Sequence, residues 1–356
     1  MIRSIQSLRA VAALCVVLLT SGGWFAHEYP GAYANPFAYG NGGVDLFFII
    51  SGFIMLHSIH AAPAMGARLF MARRIVRIVP LYWVATTFFL ALALLFPSMF
   101  RQYVFEPWHA LRSYLFVPQD SLPVIRTGWT LVYEMYFYVL LTAFLAAGLR
   151  ARLYWVAAFL SASSLVGLIW PEYLVYPVFN LLASELLLEF VMGMLLFSAF
   201  RRGFRVGVPA AAGLVAAGMF LFPVLDGSTR LLSLGIPMAL IFSGVVLCRR
   251  EMLNFRALHV LGDASYSLYL IQVLAVPACG KVVRMLPIDT YALAIPLTAF
   301  YLAAAVAAAL VLHFTLERPL TDFLKERLRK GRAATFSPSH ENNVPSPLVR
   351  EGQGEG

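Results

Sequence analysis

Charge is what this sequence has least of. Only 13% of its 356 residues are Asp, Glu, Lys or Arg, 60% are hydrophobic, and the mean hydropathy is +0.77. Soluble domains run near about 25% charged and about 45–50% apolar, so a water-soluble globule is excluded. Cysteine is scarce too. Cys15, Cys248 and Cys279 lie in or at the ends of apolar runs with no paired spacing, so neither a disulfide framework nor a metal site is expected. Zinc-type, P-loop and dinucleotide patterns are all missing. The net charge of +9 comes from short basic clusters between apolar runs, so no nucleic-acid partner is expected.

What is present is a succession of apolar runs near 5–21, 44–60, 79–97, 128–148, 153–170, 180–199, 207–225, 231–248, 260–279 and 291–316. Each approaches the roughly 20 residues a helix needs to cross a bilayer. Backbone polar groups in lipid must bond within their own segment, so the runs are helices. The fold class is therefore all-α, a multi-pass plasma (inner) membrane protein of about ten transmembrane helices, with the lipid bilayer as its first partner. The first run follows Arg3 and Arg9 without a small-residue cleavage pattern, so it reads as a retained helix.

An N-terminus on the cytoplasmic side puts fourteen arginines on that side, among them Arg68, Arg73, Arg74, Arg77, Arg150 and Arg152. Six basic residues, Arg101, Arg112, Arg126, Arg230, Lys281 and Arg284, fall on the other. That bias, with an even span count, predicts both termini cytoplasmic. Residues 1–330 form one transmembrane unit. Its last part, 318–330, reads as an amphipathic basic helix, and the polar residues 331–356 read as a disordered tail.

Few polar residues interrupt the spans, and a charge at mid-membrane costs about 2.5–3.5 kcal/mol. Arg9 heads the first span and Thr20 stands eleven residues later. At about 100° and 1.5 Å per residue, the two share a face roughly 16 Å apart. Beyond Thr20, Gly22-Gly23 is expected to end the helix before His27. Thr130, Glu134 and Tyr138 are spaced four apart on another face; Glu134 is either functional or paired with a structural arginine. Asp45 suits the first turn of its helix, and Ser51-Gly52 lets another helix or a narrow ligand approach. Glu185 and Glu189, four apart, must share a proton or meet cations. Arg73, Arg74 and Arg77 stand just before a span. They serve either topology or the phosphates of a cytoplasmic ligand. Ser265, Tyr269 and Gln272 lie on one stripe.

Together these segments resemble the membrane acyltransferase-3 family. The resemblance covers about residues 3–325. It rests on Ser7-Leu8-Arg9-Ala10, on Gly43-Val44-Asp45-Leu46-Phe47-Phe48-Ile49-Ile50-Ser51-Gly52-Phe53, and on Arg73-Arg74 with Arg77, Pro80, Tyr82 and Trp83. It continues through Trp129-Thr130-Leu131 with Glu134, Phe137 and Tyr138, then Ser265-Tyr266-Ser267-Leu268-Tyr269-Leu270, and ends at Glu317-Arg318-Pro319.

The resemblance implies a ten-helix enzyme. It takes an acyl group, here expected to be acetyl, from cytoplasmic acyl-CoA to a hydroxyl of a polysaccharide or glycolipid acceptor. It implies donor binding by Arg73, Arg74 and Arg77, substrate contacts from Ser51, Trp129, Tyr138 and Tyr269, and catalysis around Arg9. The family pairs that arginine with a histidine eleven residues on, where this chain has Thr20. A second family histidine position holds Gln272. Neither residue titrates near neutrality, which leaves Glu134 as an alternative base. Two readings stand open: an active O-acyltransferase, or a catalytically silent relative that binds substrate or scaffolds polysaccharide export.

Overall fold

The computed structural model describes residues 3–28, 35–97, 105–285 and 293–335, with side chains to residue 330. Arg101 and most of the tail read at 331–356 lie outside the described residues. Within them the chain is helical throughout and forms no strand. The helices are α1 (Arg3–Glu28), α2 (Gly42–Ala61), α3 (Ala67–Leu95), α4 (Pro107–Tyr114), α5 (Gly128–Ala146), α6 (Tyr154–Ile169) and α7 (Pro177–Ala183). They continue as α8 (Leu187–Arg201), α9 (Val208–Val224), α10 (Ile236–Val246), α11 (Arg256–Asp263), α12 (Ser265–Val283), α13 (Ala294–Leu312) and α14 (Arg318–Thr335).

Among the described residues, seven helical stretches are long and apolar enough to cross a membrane. Three shorter apolar helices, Tyr154–Ile169, Val208–Val224 and Leu231–Val246, occupy other runs read as spans. The protein is thus a helical, multi-pass membrane protein.

Two local expectations are corrected. Gly22-Gly23 does not end the first helix, which continues to Glu28. Asn35 folds back over this stretch: its amide donates to the Leu19 carbonyl at 3.1 Å. A Cβ at Gly22 would sit 2.0 Å from the Asn35 side chain, so the glycine serves close packing, not termination. Second, α3 begins at Ala67 rather than near Val79, so Arg73, Arg74 and Arg77 stand on a helix, not before one. Their spacing then aims Arg73 and Arg77 along one face, with Arg74 one step round.

The core is built on close backbone approach. On α2, Gly52 lies against α8, where a Cβ would meet the Phe190 carbonyl oxygen at 2.1 Å. Gly193 on α8 does the same against Ile49, at 2.0 Å. Small residues on both sides let the two backbones touch, which lipid-embedded helices use in place of hydrophobic driving force. Ser51, about 100° round the helix from Gly52, faces α5 instead.

Helices α1 and α12 run parallel and in register. Arg9 bonds Ser265, and a Cβ at Gly280 would touch Trp24 at 2.4 Å; both pairs have the same sequence offset. Val16 is therefore level with Gln272, and Thr20 stands about one turn, roughly 6 Å, further along.

Candidate active site

Three helices bring basic side chains to one end of the bundle. Arg9 comes from α1, Arg73, Arg74 and Arg77 from α3, and Arg318, Lys325 and Arg329 from α14. They line a cavity of about 890 Å³ at the end where α1 and α3 begin. Acidic groups there are fewer: Asp263, Glu317 and Asp322. Such a surface attracts anions, and arginine forks match phosphate oxygens in pairs.

The cavity leads inward. Arg9, Arg74 and Arg77 also line a second chamber of about 90 Å³, whose other polar walls include Ser51, Thr130, Glu134, Tyr138 and Tyr269. The three arginines are thus the common wall between a wide basic vestibule and a narrow, mainly apolar chamber.

Arg9 is 6% exposed. Its Nη1 donates to Gln6 Oε1 at 3.1 Å and its Nη2 to Ser265 Oγ at 2.8 Å. These two bonds fix the guanidinium across the junction. A buried guanidinium with few partners retains strong electrostatic reach in low dielectric.

Glu134 sits across the chamber on α5. Its Oε1 accepts hydrogen bonds from Ser51 Oγ at 2.9 Å and from the Tyr138 hydroxyl. The i,i+4 spacing read from sequence therefore becomes an actual contact. Thr130, on the same face, shares a 2.8 Å bond with the Tyr269 hydroxyl, which joins α5 to α12. Tyr266 Oη donates to the Ile78 carbonyl at 2.8 Å and ties α12 to α3 just past Arg77.

Two residues expected at the centre stand elsewhere. Thr20 donates its hydroxyl to its own helix, to the Val16 carbonyl at 2.9 Å. It lines neither the vestibule nor the chamber, because it stands well beyond Arg9 along α1. Gln272 is 0% exposed and both its amide atoms lack a hydrogen-bond partner. It lies between Leu268 and Val276 on α12, on the stripe that packs into Ala13, Val17 and Tyr301. The stripe of Ser265, Tyr269 and Gln272 thus divides: the first two reach the chamber, while Gln272 turns into the packing of α1 and α13. Trp129 also misses the chamber. Its ring lies 5.9 Å from the Arg230 guanidinium, near the opposite end of the bundle.

Two of the remaining acids, Asp45 and Glu185, have defined partners. Arg230 grips Asp45 with two bonds, at 3.0 and 2.7 Å. Glu185 lies in the break between α7 and α8 and accepts the backbone N–H groups of Arg230 and Leu231, at 3.0 and 3.1 Å. Only Glu189 of the two lies within a helix, and it is fully buried.

One polar cluster escaped sequence reading. His313 Nδ1 is 2.7 Å from Glu317 Oε2, and the same oxygen accepts Ser267 Oγ at 2.6 Å. Both His313 and Glu317 line the basic vestibule. The signal was available: a histidine four residues before a glutamate, at the inner end of an apolar run.

A bundle of apolar helices with a basic vestibule that narrows to a small inner chamber is a multi-pass membrane protein. Sequence comparison gives the class its name. The chain matches the family model described as "Acyltransferase domain", the acyltransferase-3 model, over residues 2–314. It belongs to that family. It is similar to the "Exopolysaccharide production protein ExoZ" of Rhizobium meliloti (strain 1021). The two are 34% identical over 318 residues, covering 83% of this chain and 92% of the relative. No solved structure matches the chain.

Proposed function

We propose that this protein is a membrane O-acyltransferase. It moves a short acyl group, acetyl by size, from cytoplasmic acyl-CoA to a hydroxyl of an exported polysaccharide. The observation that carries this reading is the shared arginine wall between the vestibule and the chamber. Coenzyme A is a polyphosphate with a long neutral arm. The vestibule suits the phosphates, with Arg73, Lys325 and Arg329 on its walls, and the arm points the thioester past Arg9 toward Glu134. About 10–15 Å³ holds one water, so a chamber of about 90 Å³ admits a few heavy atoms and excludes a long acyl chain. The exopolysaccharide relative points to the acceptor class. In this reading the vestibule end is cytoplasmic, the membrane is the inner (plasma) membrane, and both termini lie inside.

The residues supply a balanced step. Glu134 accepts the proton of the acceptor hydroxyl through the carboxylate oxygen that Ser51 and Tyr138 leave free. The acceptor oxygen bonds to the thioester carbonyl carbon, whose oxygen gains negative charge beside Arg9, Arg74 and Arg77. The C–S bond then breaks, and the thiolate takes the proton back from Glu134 to leave as free coenzyme A.

The silent reading has one observation in its favour. Thr20 and Gln272 stand where the family resemblance implies histidines. Expression in a strain that lacks its own transferase separates the two readings. An active enzyme restores acyl groups to the surface polysaccharide. Polysaccharide without acyl groups, from cells with normal membrane levels of this protein, refutes turnover.

A further inference from the structure

At the end of the bundle opposite the vestibule is a third cavity, of about 280 Å³. It lies between the segment 117–123, the start of α5 and the segment 174–181. We propose that this cavity seats a neutral sugar unit of the acceptor polysaccharide, next to the wall of the acyl chamber. The proposal rests on the acyl-transfer reading above and names where the acceptor sits.

Chemistry of the lining distinguishes its ligand from that of the vestibule. Among the described residues the lining contains no basic side chain, so it offers nothing to a phosphate. It offers instead an indole (Trp129), a phenol (Tyr133), two side-chain amides (Gln119 and Asn180) and one carboxylate (Asp120). Aromatic faces cover the C–H faces of a pyranose ring. Amides, which give and take hydrogen bonds side by side, and a carboxylate, which takes them, match neighbouring hydroxyls.

The polar groups are held ready. Asn180 Oδ1 accepts the Tyr133 hydroxyl, and its Nδ2 donates to the Leu174 carbonyl at 3.0 Å. One amide hydrogen and the phenol oxygen lone pairs are left over. Gln119 Nε2 donates to Ser113 Oγ at 3.2 Å, while its Oε1 is buried without any protein partner. An acceptor atom buried and unmatched costs about 1–3 kcal/mol, which a ligand hydroxyl recovers once the side chain turns that oxygen into the cavity. Arg230, anchored on Asp45, stands 5.9 Å from the Trp129 ring and helps fix its orientation.

Position gives the cavity its meaning. Phe48 lines the acyl chamber. Its ring packs against Trp129 at 6.5 Å and Tyr133 at 6.1 Å, and both of these line the sugar cavity. Donor and acceptor sites are therefore separated by one layer of aromatic rings. A hydroxyl on a sugar seated here has only that layer to pass before it meets Glu134.

The test uses the full chain in lipid nanodiscs. The probe is a deacylated oligosaccharide, released by mild alkali and glycanase digestion from the host's own exopolysaccharide. Calorimetry measures its binding, and coenzyme A binding to the same samples reports an intact vestibule. The expected result is that Trp129→Ala weakens the oligosaccharide about tenfold and Gln119→Ala about threefold, each with coenzyme A affinity unchanged. If Trp129→Ala fails to bind coenzyme A as well, the fold is damaged, and Gln119→Ala with Asn180→Ala decides. No oligosaccharide binding by the wild type, or full binding by these variants, overturns the sugar site. Oligosaccharide binding without coenzyme A binding keeps the sugar site and refutes the donor reading instead.

Discussion

Replacing Glu134 by glutamine tests the chamber most directly. Glutamine is nearly isosteric and keeps one carbonyl oxygen, enough to accept both the Ser51 and the Tyr138 hydroxyls that now meet Oε1. The side chain faces a chamber of only about 90 Å³, so a change of shape would be felt and a change of charge alone is the cleaner perturbation. What glutamine lacks is basicity. Loss of a positioned general base typically lowers the rate about 10²–10⁴-fold, or roughly 3–5 kcal/mol of barrier. Membranes supplied with radiolabelled acetyl-CoA and deacylated exopolysaccharide, assayed for label in polymer, would read this directly. Thermal unfolding of the purified variant guards against lost folding. Coenzyme A binding should change far less than the rate, since the vestibule arginines are untouched. If Glu134→Gln folds normally and transfers label within about threefold of wild type, the assignment fails, because that is well below the effect of losing a base.

Arg9→Ala removes the group that spans vestibule and chamber and strands Gln6 and Ser265. Transfer should drop at least about 10²-fold, and wild-type rates in the same assay would remove Arg9 from the mechanism. Gly52→Val should separate α2 from α8, where a Cβ already meets backbone at 2.1 Å. An overpacked contact of this kind costs about 1–3 kcal/mol, seen as a lower melting temperature in detergent; an unchanged melting temperature would refute the close packing. Gln272→Leu should be neutral or stabilising in the same measurement, because it removes two unpartnered buried polar atoms. A loss of several degrees would show that the amide has a partner.

Much of this was legible in the sequence because lipid leaves the chain few choices. Apolar runs long enough to cross must be helices, so element type and approximate positions followed from composition and run length. The motif order fixed the family, and i,i+4 spacing alone placed Thr130, Glu134 and Tyr138 on one face. Helix ends were harder. A glycine pair reads as a stop, yet α1 continues through it because Asn35 covers Gly22, a contact that local sequence does not carry. An arginine-rich stretch reads as a loop before a span, yet α3 starts at Ala67 because those arginines face a solvated vestibule, where charge on a helix costs little.

The tertiary structure alone decided which polar residues meet. Periodicity gives the face of one helix but not the neighbour opposite it. It could not distinguish Ser265 and Tyr269, which reach the chamber, from Gln272, which turns into packing. It gave no way to pair Ser51 with Glu134, to join His313 and Glu317 to Ser267, or to see that Phe48 separates two cavities. Those contacts bridge residues far apart in the chain, and only helix packing brings them together. The sequence thus determined a helical membrane protein of the acyltransferase-3 family. The packing of α1, α2, α3, α5 and α12 decided where its chamber lies and which side chains enclose it.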